Sequence, residues 1–199
     1  MAKRVDPDAR KRVIAEKAMK LFSQVGYDNV TLMMIAYEAK IARTVLYRHF
    51  RSKREVLDAA IRGNTRYIMA EVDRIRSGRG SVAERLARIG ERVIGVLFEK
   101  RDFLVAIFDF VLSMSREGED MGARVLAFTP GIRSAFRELL ERGIAEGEFA
   151  ASAEIGDVAD GLFSQFESTA LRIVLGIESA PDAACRRFRE SVTALGVVR

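Results

Sequence analysis

Apolar positions recur every three or four residues along nearly the whole chain, and no stretch shows the strict alternation of a half-buried strand. Ile14, Ala18, Leu21, Phe22 and Val25 fall on one face of a first helix, which Gly26 is placed to end in a left-handed conformation. Thr31 suits the N-cap of a second short helix that buries Met34 or Ile35 with Ala39. A four-residue connection then leads to a third short helix carrying Arg43, Thr44, Tyr47 and Arg48. The stretch Val13 to Lys53 therefore has the layout of a helix-turn-helix, whose second helix lies in the major groove of DNA.

Ser52 caps a longer helix over roughly residues 53–76, with Val56, Leu57, Ala60 and Ile61 on its inner side. The break Ser77-Gly78-Arg79-Gly80 ends it, and Ser81 with Glu84 forms a capping box for a helix running to about Lys100. A very apolar helix follows from Arg101 to about Ser115, then a polar turn over residues 116–120. Further helices are predicted around 121–128, 131–146, 154–177 and 181–196, punctuated by Pro130-Gly131, Gly147 and Ala180-Pro181. The fold class is all-α, with a helix-turn-helix domain over residues 1–53 and a larger helical domain over 54–199.

A hydrophobic content of 49% with 31% charged residues, over 199 residues, excludes bulk disorder and allows a sizeable core. The excess of positive charge is local. Residues 1–55 hold 13 Lys/Arg against 6 Asp/Glu, whereas residues 56–199 hold 20 against 22. The basic excess thus lies in the helix-turn-helix segment, as phosphate binding requires. A single cysteine, Cys185, cannot form an internal disulfide. The first residues lack the apolar run of a signal peptide, and the most apolar stretch, Phe103 to Met114, contains Asp109 and is too short to span a bilayer. A reducing cytoplasm is the expected location, with no membrane partner.

Several motifs at fixed spacing carry a resemblance. They are Ala18-x-x-Leu21-Phe22, Gly26-Tyr27, Thr31-x-x-x-Ile35-Ala36-x-x-Ala39 and Leu46-Tyr47-x-His49-Phe50-x-Ser52-Lys53-x-x-Val56-Leu57. Together they resemble the DNA-binding half of the TetR family of bacterial transcriptional regulators. The resemblance implies an all-helical homodimer whose variable C-terminal domain binds a small effector. Two positions depart from it. The corner of the helix-turn-helix usually carries Gly, and here Lys40 stands there; a side chain at positive φ costs something like 1 kcal/mol. The cap of the recognition helix is usually Ser or Thr, and here it is Ala42, which forfeits about 1 kcal/mol.

Residue chemistry assigns the candidate DNA contacts. Thr31, Tyr47 and Lys53 are read as phosphate anchors, with Lys40 able to replace the lost cap contact and Arg48 also touching phosphate. Arg43 and Thr44, at the start of the recognition helix, can reach base edges, Arg reading guanine O6 and N7; Val45 can meet a thymine methyl. Lys3, Arg4, Arg10, Lys11 and Arg12 are expected to precede the first helix, as an arm along the backbone or as a charged tail. His49 has no second ligand at motif spacing and is read as structural.

The second half is rich in Phe and Met. Phe103, Ile107, Phe108, Phe110, Met114, Met121, Phe128, Phe163 and Phe166 are the candidates for lining a site for a hydrophobic effector, against the plainer reading of ordinary core. Asp109, Ser113, Gln165, Glu167 and Ser168 are the polar groups available to orient that ligand. The last two long helices, with Ile155, Val158, Leu162, Phe166, Thr169, Ile173, Phe188, Val192 and Leu195, are expected to form a homodimer interface. No nucleophile elbow, phosphate loop or metal cluster is visible, so neither an enzyme nor a cofactor is expected. The combined reading is a ligand-responsive repressor, acting as a homodimer on an inverted-repeat operator in double-stranded DNA. An activator, a ligand-independent regulator and a helical interaction module without specific DNA binding are the alternatives.

Overall fold

The computed structural model describes residues 7–119, 130–150 and 154–196. Among these, the elements are α1 (Pro7–Val25), α2 (Leu32–Glu38), α3 (Arg43–His49), α4 (Lys53–Arg76), α5 (Val82–Glu99), α6 (Arg101–Arg116), α7 (Pro130–Ala145), α8 (Ile155–Val174) and α9 (Asp182–Thr193). An isolated bridge between Phe149 and Gly196 is the one extended pairing among the described residues. The helix expected around 121–128, with candidate residues Met121 and Phe128, lies outside them.

Local chemistry accounts for most boundaries. Gly26, at φ 82°, ends α1, its N–H donating to the Phe22 carbonyl at 3.0 Å. Thr31 caps α2 by accepting from the Met34 N–H at 3.3 Å. Ser52 accepts from the Glu55 N–H at 3.2 Å, and the Glu55 carboxylate takes the Arg51 N–H at 2.7 Å. Ser81 and Glu84 close a reciprocal capping box on α5. The Glu148 carboxylate adds to it, accepting from the Val82 and Ala83 N–H groups at 2.9 Å each, where the helix dipole favours an anion.

The chain divides into two compact units, Met1–Arg66 with Asp102–Phe128, and Tyr67–Arg101 with Thr129–Arg199. In the first, Ile14, Ala18 and Phe22 of α1 are buried with Ile35, Leu46, Phe50, Val56, Leu57 and Ile61, and α6 contributes Ala106, Phe110 and Met114 to the same core. Tyr27 meets Phe110 edge-on at 4.8 Å. In the second, Phe136, Phe163, Phe166 and Phe188 form an aromatic centre, with Phe166 and Phe188 stacked at 5.2 Å. Leu162, Phe166, Thr169, Ile173, Phe188 and Val192, expected to wait for a partner chain, are buried within the protomer. Periodicity identifies an apolar face without saying which helix covers it.

The loop between α8 and α9 is held by Glu178, whose side chain is 6% exposed. It accepts from Arg187 at 2.7 Å and from Arg172 at 3.0 Å. Burial pushes this carboxyl up, but the two guanidinium groups outweigh that and hold it below the usual carboxylate range. A depressed native pKa stabilises the fold above the unfolded carboxylate value, and the gain is lost as pH falls through the native one. Glu178→Ala is therefore expected to cost about 1–2 kcal/mol near neutral pH in urea unfolding, and the difference from wild type to shrink on acidification.

The corner between α2 and α3 keeps its left-handed residue without a glycine. Lys40 has φ 53°, the one positive φ at a non-glycine position among the described residues. Its N–H donates to the Tyr37 carbonyl and the Ile41 N–H to the Ala36 carbonyl, each at 3.0 Å, the bond pair of a Schellman turn. Lys40→Gly removes the clash of Cβ with the backbone and is expected to stabilise the first unit by about 1 kcal/mol, read by thermal or urea denaturation.

Candidate nucleic-acid interface

The exposed side of α3 gathers the residues read as base and phosphate contacts. Arg43, Thr44 and Arg48 are exposed and Val45 is half-buried, while Leu46 anchors the helix in the core. Ala42, at its N-cap, supplies no side-chain hydrogen bond, so the α3 N–H groups there lack a side-chain cap. Tyr47, 45% exposed, lies under the Arg43 guanidinium, 5.2 Å from ring centre to cation, with the phenol oxygen 3.4 Å from Nη2. The pair orders an otherwise free arginine on the helix surface. Arg48 Nε donates to the Thr44 carbonyl at 3.4 Å, on an otherwise exposed side chain.

Thr31 and Lys40 are also exposed, Thr31 at the head of α2 and Lys40 at the corner. An open groove of about 680 Å³ beside that corner is lined by Lys17, Tyr37, Glu38, Lys40 and Ile41, and Tyr37 is 86% exposed. α1 begins at Pro7, so Arg10, Lys11 and Arg12 belong to a helix and not to an arm before it. Proline suits a first helical position, where its missing N–H has no intrahelical role. Lys3 and Arg4 lie outside the described residues. Burial, together with the neighbouring cations Lys11, Arg10 and Arg48, lowers the His49 pKa, so α1 brings positive charge to the end of α3. No group of His, Cys, Asp or Glu able to hold a metal occurs among the described residues.

Lys53 has a structural task as well as a surface position. Its ammonium donates to the carbonyls of Tyr27 at 2.7 Å and Asp28 at 2.9 Å, and stands 4.4 Å from the centre of the Tyr27 ring. Burial first, with Asp58 and Asp28 adding to it against Arg54, raises the Tyr27 phenol to about 12. That ring therefore stays neutral beside the ammonium at any physiological pH.

The residues expected to line an effector site fall into two cores. Phe110 and Met114 are buried in the first unit, with Phe103 and Ile107 packed against the same cluster and Phe108 half-buried. Phe163 and Phe166 belong to the core of the second unit. Four of the polar groups in these stretches have protein partners. Asp109 Oδ2 accepts from the Tyr27 N–H at 2.5 Å, and Ser113 Oγ donates to Asp28 at 2.7 Å. Gln165 donates to Ser191 at 3.0 Å, and Glu167 accepts from Arg133 at 3.4 Å. The grip of Asp109 and Ser113 on the turn after α1 leaves one trace in the sequence, an acid and a hydroxyl four residues apart in the otherwise apolar run from Phe103 to Met114.

Comparison with known proteins gives the same picture. Residues 14–60 match the bacterial regulatory proteins of the tetR family. The chain is 27% identical over 167 residues to the nucleoid occlusion factor SlmA of Vibrio atlanticus, covering 83% of each chain. It is 29% identical over 101 residues to the HTH-type transcriptional regulator HbdR of an Aromatoleum species, 51% of this chain and 44% of that one. A TetR transcription regulator from Haloarcula marismortui shares its fold with a TM-score of 0.80 at 17% identity, over 95% of this chain and 99% of the other. No described helix is long and apolar enough to cross a membrane. Residues 14–60 thus match the DNA-binding domain of the tetR family, and the chain shares its fold over nearly all its length with a TetR transcription regulator.

Proposed function

We propose that the protein is a ligand-responsive repressor that binds an inverted-repeat operator as a homodimer. The observation that carries this reading is α3 itself, with Arg43, Thr44, Tyr47 and Arg48 on one exposed helix in a segment with an excess of positive charge. In this reading Arg43, ordered by Tyr47, and Thr44 with Val45 address base edges. Thr31, Lys40, Tyr47, Arg48 and Lys53 address phosphate. Residues 1–53 form the reading head, and residues 54–199 carry effector binding and dimerisation. A helical interaction module without specific DNA binding is the second reading, favoured by the strained Lys40 corner and the uncapped Ala42.

The homodimer reading rests on the outer side of α8. Gly161, Ser164, Ser168, Leu171 and Leu175 are exposed and spaced three or four residues apart, a strip of small and apolar groups suited to a second copy. Leu175 and nearby Ile177 are 61% and 58% exposed. The effector is read as small and hydrophobic from the apolar character of residues such as Phe163 and Phe166, which are packed in the core of the second unit. In this reading an effector shifts operator binding by no more than its differential affinity for the two states.

Three outcomes are expected. The purified protein should prefer its own upstream intergenic DNA over a scrambled duplex by on the order of a thousandfold at physiological salt; equal, salt-sensitive binding to both would favour the interaction module. Arg43→Ala with Tyr47→Phe should abolish that preference while leaving the dimer intact. A Cβ at Gly161 meets nothing within 4 Å. Gly161→Arg is thus compatible with the protomer, and sedimentation should show the dimer weakened more than about tenfold with its melting unchanged.

A further inference from the structure

We infer that Asp109 and Ser113 of α6 are positioning residues for operator binding: they hold the Tyr27–Asp28 turn, and that turn sets Thr31 and Lys53 against the DNA backbone. The inference rests on the DNA-binding reading above and adds to it the residues that place two of its phosphate contacts.

From Phe103 to Met114, α6 is apolar apart from these two side chains, which lie one helical turn apart on the same face. A carboxylate in such a helix is costly unless hydrogen-bonded. Asp109 meets that demand at one backbone group, the Tyr27 N–H, at 2.5 Å. The left-handed Gly26 has just ended α1, so that amide lies beyond the helix ladder and takes its acceptor from α6. Ser113 fixes the next residue through the Asp28 carboxylate at 2.7 Å, and Phe110, between them in sequence, supports the Tyr27 ring.

The opposite side of the same turn faces α4. Its two carbonyls take two of the three Lys53 donors and leave one for a phosphate. Further along, the Val30 N–H returns to the Tyr27 carbonyl at 3.3 Å and delivers the chain to Thr31 at the head of α2. Arg54, beside Lys53, makes a two-pronged pair with Glu119 at 2.8 and 2.7 Å, which ties the start of α4 to the segment after α6. Asp109 and Ser113 thus act on DNA through Tyr27, Asp28 and Lys53, without touching it.

The test uses a duplex enriched by the wild-type protein from a random-sequence library, with affinity measured across a salt series. Asp109→Leu should weaken binding by about tenfold or more and reduce the salt slope by about two, the loss of the one cationic phosphate contact of the pair, Lys53, in each protomer. Asp109→Asn, whose amide oxygen still accepts from the Tyr27 N–H, should restore affinity to within about threefold. Adding Lys53→Met to Asp109→Leu should change the slope no further. If Asp109→Leu fails to fold, Ser113→Ala carries the same expectation in milder form. A folded, dimeric Asp109→Leu or Ser113→Ala protein with wild-type affinity and slope overturns the proposal. A wild-type protein that enriches no duplex overturns the DNA-binding reading itself, before any variant is compared.

Discussion

The amide and carbonyls of one turn carry much of the first unit's geometry. Between α1 and α2 the backbone must reverse, and its polar groups need partners outside the two helices. Asp109 supplies the acceptor for the Tyr27 N–H, and Lys53 supplies the donors for the carbonyls of Tyr27 and Asp28. The start of α4 and the middle of α6 are thereby pinned to the same two residues, with Phe22, Tyr27 and Phe110 in contact beneath. α2 and α3 pack on this base through Ile35, Ala36 and Leu46, which leaves the outer side of α3 free to carry Arg43, Thr44, Tyr47 and Arg48.

The corner between α2 and α3 combines a stability cost with a positive charge. Lys40 keeps a left-handed backbone that glycine adopts without strain, and Ala42 leaves the start of α3 without a side-chain cap. Each costs on the order of 1 kcal/mol, small against the burial of Leu46, Phe50 and Leu57 in a shared core. What Lys40 offers in return is a cation beside the recognition helix, in a segment already rich in positive charge.

Local chemistry was legible in the sequence because it depends on neighbours three or four residues away. The caps at Thr31, Ser52 and Ser81, the end of α1 at Gly26 and the strained corner at Lys40 all follow from residue type and spacing. Long-range partnership was not legible. The apolar run of α6 looked like the lining of an effector site, yet Phe110 and Met114 are buried in the core of the unit that holds the helix-turn-helix. Asp109 looked like a ligand-orienting group, and its partner is an amide 82 residues earlier. The apolar faces of α8 and α9, read as waiting for another chain, are covered by their own protomer. In each case the pattern specified a buried surface, and only the tertiary fold specified what buries it.

The central claim is that two copies of this reading head address one duplex together. Selection of duplexes from a random-sequence library by the wild-type protein, followed by sequencing, tests it most directly. The account predicts enrichment of an inverted repeat with half-site centres about one helical turn, or a small multiple of it, apart. Enrichment of nothing, or of a lone half-site with no symmetry mate, would contradict it.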